Sequence, residues 1–180
     1  WLIGDGIALT MIDTVPPAGH IADAMIALND DGGFDLTVGT AEFGNGTSTV
    51  HRQIAATTLA TTVDRIHLRQ SDTAHGGHDT GAYGSAGTFV AGKATHAAAV
   101  QLATDLRGAA AGAWLCDVGS CALEDEFVVS GVRRMSFVEL AKLARERGQP
   151  LAAQGNSGGT PRSVGFNVQG FRVAVNKGTG

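Results

Sequence analysis

The chain has little cysteine, little proline, few aromatic residues and no surplus of positive charge. Cys116 and Cys121 are the only two cysteines among 180 residues. Two thiols cannot build the multi-bridge scaffold of a small secreted domain, and their spacing matches no common zinc pattern. They are able to pair across a turn or to stay free in the interior, and the sequence leaves both open. Thirteen Lys and Arg stand against 17 Asp and Glu, a net charge of -4. That balance excludes the basic stripe of a nucleic-acid binder. The aromatic residues are scattered and form no stacking platform for single strands. No apolar run approaches the length of a membrane span. The first residues lack the basic, apolar and small-residue series of a secretory leader. The expected location is therefore cytoplasmic, with an export signal on a preceding segment left open. The chain opens on Trp1 and closes on Asn176-Lys177-Gly178-Thr179-Gly180, which reads as a turn with no strand after it. A piece of a larger protein is expected.

What the chain has in abundance is glycine, 26 residues in all. Two glycine-rich turns each feed straight into a predicted helix. The first is Glu42-Phe43-Gly44-Asn45-Gly46-Thr47-Ser48-Thr49; the second is Gly81-Ala82-Tyr83-Gly84-Ser85-Ala86-Gly87-Thr88. Glycine lets a backbone approach a ligand closely and adopt positive φ without strain. A helix start adds unpaired N–H groups and the positive end of the dipole. Together they make an anion site, and two on consecutive helices fit one long, multiply charged ligand. Glycine-rich helix entries also occur with no ligand at all. Neither turn carries the spacing of a dinucleotide fold or a phosphate loop, so the glycines alone do not name the ligand.

The length suits one compact domain, residues 1–180. Ala24–Asn29 and Phe34–Val38 read as a hairpin closed by Asp30-Asp31-Gly32-Gly33. A helix is expected over about 47–61, its stripe formed by Val50, Ile54, Ala55 and Leu59. A short strand surrounds Ile66 and Leu68, followed by a polar loop from Ser71 to Gly87. Val90, Ala94, Ala98, Leu102 and Leu106 recur every four residues and define a second helix over about 88–107. Phe127–Val129 reads as a strand. Ser136 and Glu139 form a capping box for a third helix, Phe137–Arg147, stopped by Gly148 and Pro150. Ala152–Pro161 reads as a glycine-rich loop and Gly165–Val175 as a final strand. The sum is an α/β (α+β) fold in two layers, with helices packed on a mixed sheet.

Several residues are candidates for chemistry. Asp72, His75, His78 and Asp79 share one loop and are potential metal ligands with His51, although hydrogen-bonded surface is the commoner fate of such a cluster. Glu42 beside the first turn is placed for general-base work or for pairing with a nearby donor. His51 and Arg52 stand within reach of a ligand phosphate, with exposure of at least one as the plainer expectation. Ser85 lacks the context of a nucleophile elbow; donation to a phosphate oxygen or helix capping suits it better. Arg133-Arg134 reads as a solvated pair.

These motifs, in this order, resemble the molybdenum-binding subunit of the xanthine dehydrogenase and aldehyde oxidase family. Thr40-Ala41-Glu42-Phe43-Gly44-Asn45-Gly46, with Thr49 and Gln53-Ile54-Ala55-Ala56, is similar to that family's Gly-Gln-Gly segment and helix. Ser71-Asp72-Thr73, Asp79 through Thr88, and Gly92-Lys93-Ala94 are similar to its second cofactor loop. Arg133-Arg134-Met135-Ser136-Phe137 with Glu139-Leu140-Ala141, and then Val173-Ala174-Val175 and Thr179-Gly180, continue the likeness. The resemblance implies a molybdenum–molybdopterin cofactor, in a dinucleotide form, held by Gly44, Asn45, Gly46, Thr49, Gly84, Ser85, Ala86, Gly87 and Thr88. It implies that the parent hydroxylates an aldehyde, purine or other N-heterocycle with oxygen from water. Partners would be the remainder of the molybdenum subunit and the iron–sulfur and FAD subunits or domains. The family's glutamine falls on Asn45, and its Ser-Arg on Ser85-Ala86. The family's catalytic glutamate lies in a Gly-Glu motif not found in these residues, so the piece is expected to be inactive alone, with no catalytic residue and no direct metal ligand of its own. Two rival readings stand beside it: a non-catalytic interaction domain that lost the cofactor, and a hydrolase using Ser85.

Overall fold

A computed structural model describes residues 1–14, 19–159 and 163–180. Its centre is a four-stranded mixed sheet of β2 (His20–Leu28), β3 (Phe34–Val38), β4 (Ile66–Gln70) and β8 (Ala152–Gly159), in the order β4-β3-β2-β8. The hairpin β2–β3 is antiparallel as its Asp-Gly turn requires, with Leu28 opposite Phe34. β3 and β4 run parallel, Val38 opposite Gln70. A parallel pair needs a crossover, and helix α1 (Thr47–Thr58) supplies it. Helix α2 (Gly92–Trp114) lies beside α1 on the same face of the sheet. This is the two-layer α/β arrangement that the alternation of elements implies.

The stripe of α2 explains how close the layers come. Val90, Ala94, Ala98, Leu102 and Leu106 are all buried, as the four-residue recurrence requires. Burial of each leucine contributes about 1.5–3 kcal/mol; the alanines contribute proximity instead. β8 lies directly beneath, and a Cβ added at Gly155 would collide with Ala94 O and Ala98 N. Ala152–Gly159 is thus a strand, not the expected loop; Thr160 and Pro161, the end of that predicted loop, fall outside the described residues. Its glycines mark a close backbone approach, where they had read as turn signals.

A three-stranded antiparallel sheet of β5 (Ala122–Glu124), β6 (Phe127–Ser130) and β7 (Arg133–Ser136) leads into helix α3 (Phe137–Glu146). The capping box is present: Ser136 Oγ accepts from Glu139 N and Glu139 accepts from Ser136 N at 2.7 Å. Phe137 packs edge-on against Phe34 at 5.3 Å, tying α3 to the central sheet. Arg134 lies over the Phe127 ring at 4.3 Å, and Arg133 donates to Trp114 O at 2.9 Å, so neither is merely solvated.

The remaining strands form a separate ribbon. β1 (Leu2–Thr14) pairs antiparallel with β9 (Ser163–Val175) along 13 residues. Both faces are open: Ile7 on one is 83% exposed and Phe171 on the other 63%. β1 was absent from the sequence expectation, and β9 begins two residues before the expected Gly165.

Candidate functional site

Both glycine turns leave the central sheet at one edge, and topology is the reason. In open α/β sheets ligands bind beyond the carboxyl ends of parallel strands. The first turn follows the carboxyl end of β3. The loop from Ser71 follows the carboxyl end of β4, then crosses to the start of β2, where Ala22 bridges Asp79 and Asp23 N donates to His78 O at 2.9 Å. Asp23 returns the contact by accepting from His78 N at 3.1 Å, and Thr80 Oγ1 accepts from Ile21 N at 3.1 Å. The strapped loop then delivers the second turn. A Cβ on Gly87 would stand 3.4 Å from Thr47 Cγ2, and one on Gly92 3.1 Å from Ile54 Cδ1. The two helices therefore start together and run side by side.

The first turn is already filled. Glu42 Oε1 accepts from Gly44 N at 2.7 Å and Gly46 N at 3.1 Å; Oε2 accepts from Ser48 N and Ser48 Oγ, both at 3.0 Å. Asn45 Oδ1 accepts from Thr47 N at 3.3 Å and Thr47 Oγ1 at 3.0 Å. The N-cap position is Gly46, in left-handed backbone at φ 77, and offers no side chain of its own. The protein's own carboxylate thus takes the place of an anion at a helix start. The Ser48 amide, then those of Gly46 and Gly44, hold Glu42 at a pKa of about 2. A base so weak abstracts no proton near neutrality.

The second turn is built differently. Gly84 sits at φ 65 and Ser85 at φ 60, followed by right-handed Ala86. The step from left-handed Ser85 to right-handed Ala86 has the paired backbone conformation of an anion nest. A π-helical turn, Gly87–Ala91, then opens α2 without any side-chain cap. Of the two roles expected for Ser85, helix capping is not seen, and the residue is exposed. Ala86 is buried at 2%. Asp79 holds the turn from below, its Oδ1 accepting from Gly81 N at 2.6 Å, and burial pushes its carboxyl up. His20, also buried, brings Nδ1 to 3.3 Å from Thr80 Oγ1 and packs its ring 4.9 Å from Tyr83.

Other predicted residues fall elsewhere. His51 is fully buried on the inner face of α1, with no hydrogen-bond partner on either ring nitrogen. Arg52 is committed to Ile66 O at 3.0 Å and Val63 O at 2.8 Å. Neither is an exposed residue aimed at a phosphate. The stripe of α1 is Thr47, His51, Ala55, Ala56 and Leu59, so Val50 and Ile54 are only half-buried. Asp72 and His75 pair at 3.0 Å in solvent. Among the described residues no three His, Cys, Asp or Glu side chains gather as a metal site. Thr49 lies exposed on α1. Of the two roles expected for Glu42, pairing with nearby donors is the one found; the roles of Asp79 and His20 went unread in the sequence.

Two helix starts side by side, fed by glycine turns at one sheet edge, are matched by one family profile across residues 1–180, that of the molybdopterin cofactor-binding domain. The chain belongs to that family. Among curated relatives, the probable hypoxanthine oxidase XdhD of Escherichia coli (strain K12) is 38% identical over 102 residues, covering 57% of this chain and 11% of the relative. The putative xanthine dehydrogenase molybdenum-binding subunit XdhA of the same organism is 33% identical over 91 residues, covering 50% of this chain and 12% of the relative. This molybdopterin cofactor-binding domain thus spans about a tenth of those relatives' length. Among solved structures, quinoline 2-oxidoreductase from Pseudomonas putida 86 superposes with a TM-score of 0.80 at 20% identity, over 94% of this chain and 24% of that one. The CO dehydrogenase from Oligotropha carboxidovorans gives 0.77 at 22%, with the same coverage. At such identity the likeness establishes the fold.

Proposed function

We propose that this domain cradles the molybdenum–molybdopterin cofactor of a molybdenum hydroxylase, and that the second glycine turn takes the cofactor's anionic tail. The observation that carries the reading is the pairing of a capped and an uncapped helix start at one sheet edge. No side chain caps the stretch Gly84–Thr88, and the N–H groups that its own 3-10 turn at Tyr83–Ser85 does not use fit a phosphate or pyrophosphate. The first turn, its donors already engaged, would contribute shape and the edge of the Asn45 amide, not charge. Gly44, Asn45, Gly46 and Thr49 would line one side of the cofactor and Gly84, Ser85, Ala86, Gly87 and Thr88 the other.

When bound, the cofactor supplies the redox chemistry that places oxygen from water on a substrate. The chain's own residues position it. Asp79 holds Gly81, and through it the second turn; Glu42 holds the first. The substrate class would be an aldehyde, purine or other N-heterocycle, in keeping with relatives named for hypoxanthine, xanthine and quinoline. Electrons would leave through iron–sulfur and flavin partners, and the tail would be a dinucleotide. Because no Gly-Glu motif is found in these 180 residues and Glu42, held ionised by its own turn, is too weak a base to stand in, they alone would turn over none of those substrates.

The engaged donors of the first turn also favour a second reading, an interaction domain of the same fold that takes no cofactor. Molybdenum and pterin analysis of the intact subunit separates the two. Near-stoichiometric metal supports the cradle; a folded subunit without metal, purified from cells that load other molybdenum hydroxylases, supports the interaction domain.

A further inference from the structure

Away from the glycine turns, the end of α2 holds a second chemically distinct feature. Cys116 and Cys121 are both free thiols, and their sulfurs lie 4.0 Å apart. Four residues separate them, and the intervening loop is fixed at each end. Cys116 N donates to Ala111 O at 3.1 Å, Ser120 N to Asp117 O at 3.0 Å, and Cys121 N to Val118 O at 3.0 Å. Ser120 Oγ donates to Asp117 O at 2.6 Å and stands 3.0 Å from Ser130 Oγ on β6. The backbone thus presents the two sulfurs to each other before any bond exists. A disulfide needs about 2.05 Å between sulfurs, a closure of about 2 Å for side-chain torsions to provide.

The two thiols are not equivalent. Cys116 is half-exposed, while Cys121 is 5% exposed in the core cluster. Burial pushes the Cys121 thiol up, and its bonded neighbour Cys116 adds to the effect. Access and thiolate fraction both decide which sulfur meets an incoming reagent, and both favour Cys116.

We propose that Cys116 and Cys121 form a dithiol redox site whose reagent is a small disulfide of the glutathione class, with Cys116 as the entering thiol and Cys121 as the resolving one. The Cys116 thiolate attacks one sulfur of the reagent, forming a mixed disulfide and releasing one thiolate. Cys121 then loses its proton, attacks the Cys116 sulfur and releases the second thiolate. Two protein thiols are oxidised to one disulfide, and one small disulfide is reduced to two thiols. Entry is a bimolecular step. Resolution is intramolecular across 4.0 Å, so it is fast by comparison.

The test uses oxidised glutathione on the folded protein, followed by intact mass under non-reducing conditions. Wild type should lose two hydrogens with no visible glutathione adduct, and its thermal midpoint should rise by a few degrees. Cys121→Ser should accumulate a single adduct at Cys116. Cys116→Ser should react at least about tenfold more slowly than Cys121→Ser, as burial of the remaining thiol requires. An adduct that persists in wild type, or equal reactivity in the two variants, overturns the assignment. Circular dichroism on each variant establishes that the fold is intact, and an iodoacetamide time course on wild type gives the order of thiol access independently. Alkylation of Cys121 before Cys116 also overturns it.

Discussion

The two glycine turns share composition, sheet edge and helix entry, yet one is closed by its own side chains and the other is not. In the first, Glu42 and Asn45 engage the amides of Gly44, Gly46, Thr47 and Ser48. In the second, Ser85 and Ala86 replace any capping chemistry, and α2 begins through a π turn with no side-chain cap. Glycine supplies the backbone freedom in both cases. What separates a filled anion hole from an open one is the reach of the carboxylate: Glu42 engages the amides of Gly44, Gly46 and Ser48, whereas Asp79 engages that of Gly81 alone. A glycine-rich helix entry is therefore half of an anion-site argument; the accounting of its donors is the other half.

The largest expected effect breaks this comparison at the open turn. Gly84 holds φ 65, and valine there adds strain of about 1–3 kcal/mol. Its side chain would also stand where backbone must meet an anion, blocking charge-assisted bonds worth about 1.5–3 kcal/mol each. Gly84→Val in the intact subunit should lower molybdenum per folded protein about tenfold or more. The thermal midpoint should fall by less than about 10 °C. Metal analysis and calorimetry on the same preparation give both. Normal metal content would mean that Gly84 is only a turn residue.

The helices behind the turns differ as well. The one polar side chain that α2 buries among the described residues, Thr95, donates to Ala91 O at 2.9 Å, whereas α1 buries His51 with both ring nitrogens unpartnered. An unsatisfied buried polar group costs about 1–3 kcal/mol. His51→Leu should raise the thermal midpoint by about 2–4 °C per kcal/mol recovered. Burial lowers the His51 pKa, so protonation favours the unfolded chain. Wild-type stability should fall as pH drops below about 6.5, and the variant should show less of that loss. An unchanged pH slope in His51→Leu would show that His51 finds a partner in solution.

How much of this was legible follows from where each signal resides. The β2–β3 hairpin, the α2 stripe and the Ser136–Glu139 box are local patterns, and each stands where its residues predict. β1 is not local: its partner β9 lies at the other end of the chain, and both of its faces carry apolar residues, so no alternation marks it. β8 carries Gly155, Gly158 and Gly159, which look like turn residues until α2 is seen to need Gly155 bare. The stripe of α1 was misplaced because a buried histidine occupies a position where hydrophobic counting expects solvent. At the candidate site the turns themselves were legible. That Glu42 would pair with a nearby donor was legible too; that it would take the amides of Gly44, Gly46 and Ser48 together was not, because this depends on a side-chain torsion that spacing does not fix.

The smallest expected effect sharpens the comparison by making the two turns alike. Glu42 is held at a pKa of about 2 by the Ser48, Gly46 and Gly44 amides, below the ordinary value of about 4.3 for a glutamate. A lowered carboxyl stabilises the fold above its unfolded pKa, and that contribution disappears as pH falls from about 4.3 toward 2. Glu42→Gln should therefore be less stable than wild type at pH 7, and the two should converge through that window. Asp72 and Glu139 are also lowered by hydrogen bonds and remain in both proteins, so the difference between the curves isolates Glu42. Solvent exposure keeps the difference small. Removing the side chain goes one step further. In Glu42→Ala the amides of Gly44, Gly46 and Ser48 lose their acceptor while the helix dipole stays. Inorganic pyrophosphate should then shift those amide resonances as well as those of Gly84–Thr88, where wild type shows shifts at the second turn alone. Shifts at the first turn in wild type would show that Glu42 swings aside for an anion, and the distinction between a closed and an open turn would fall.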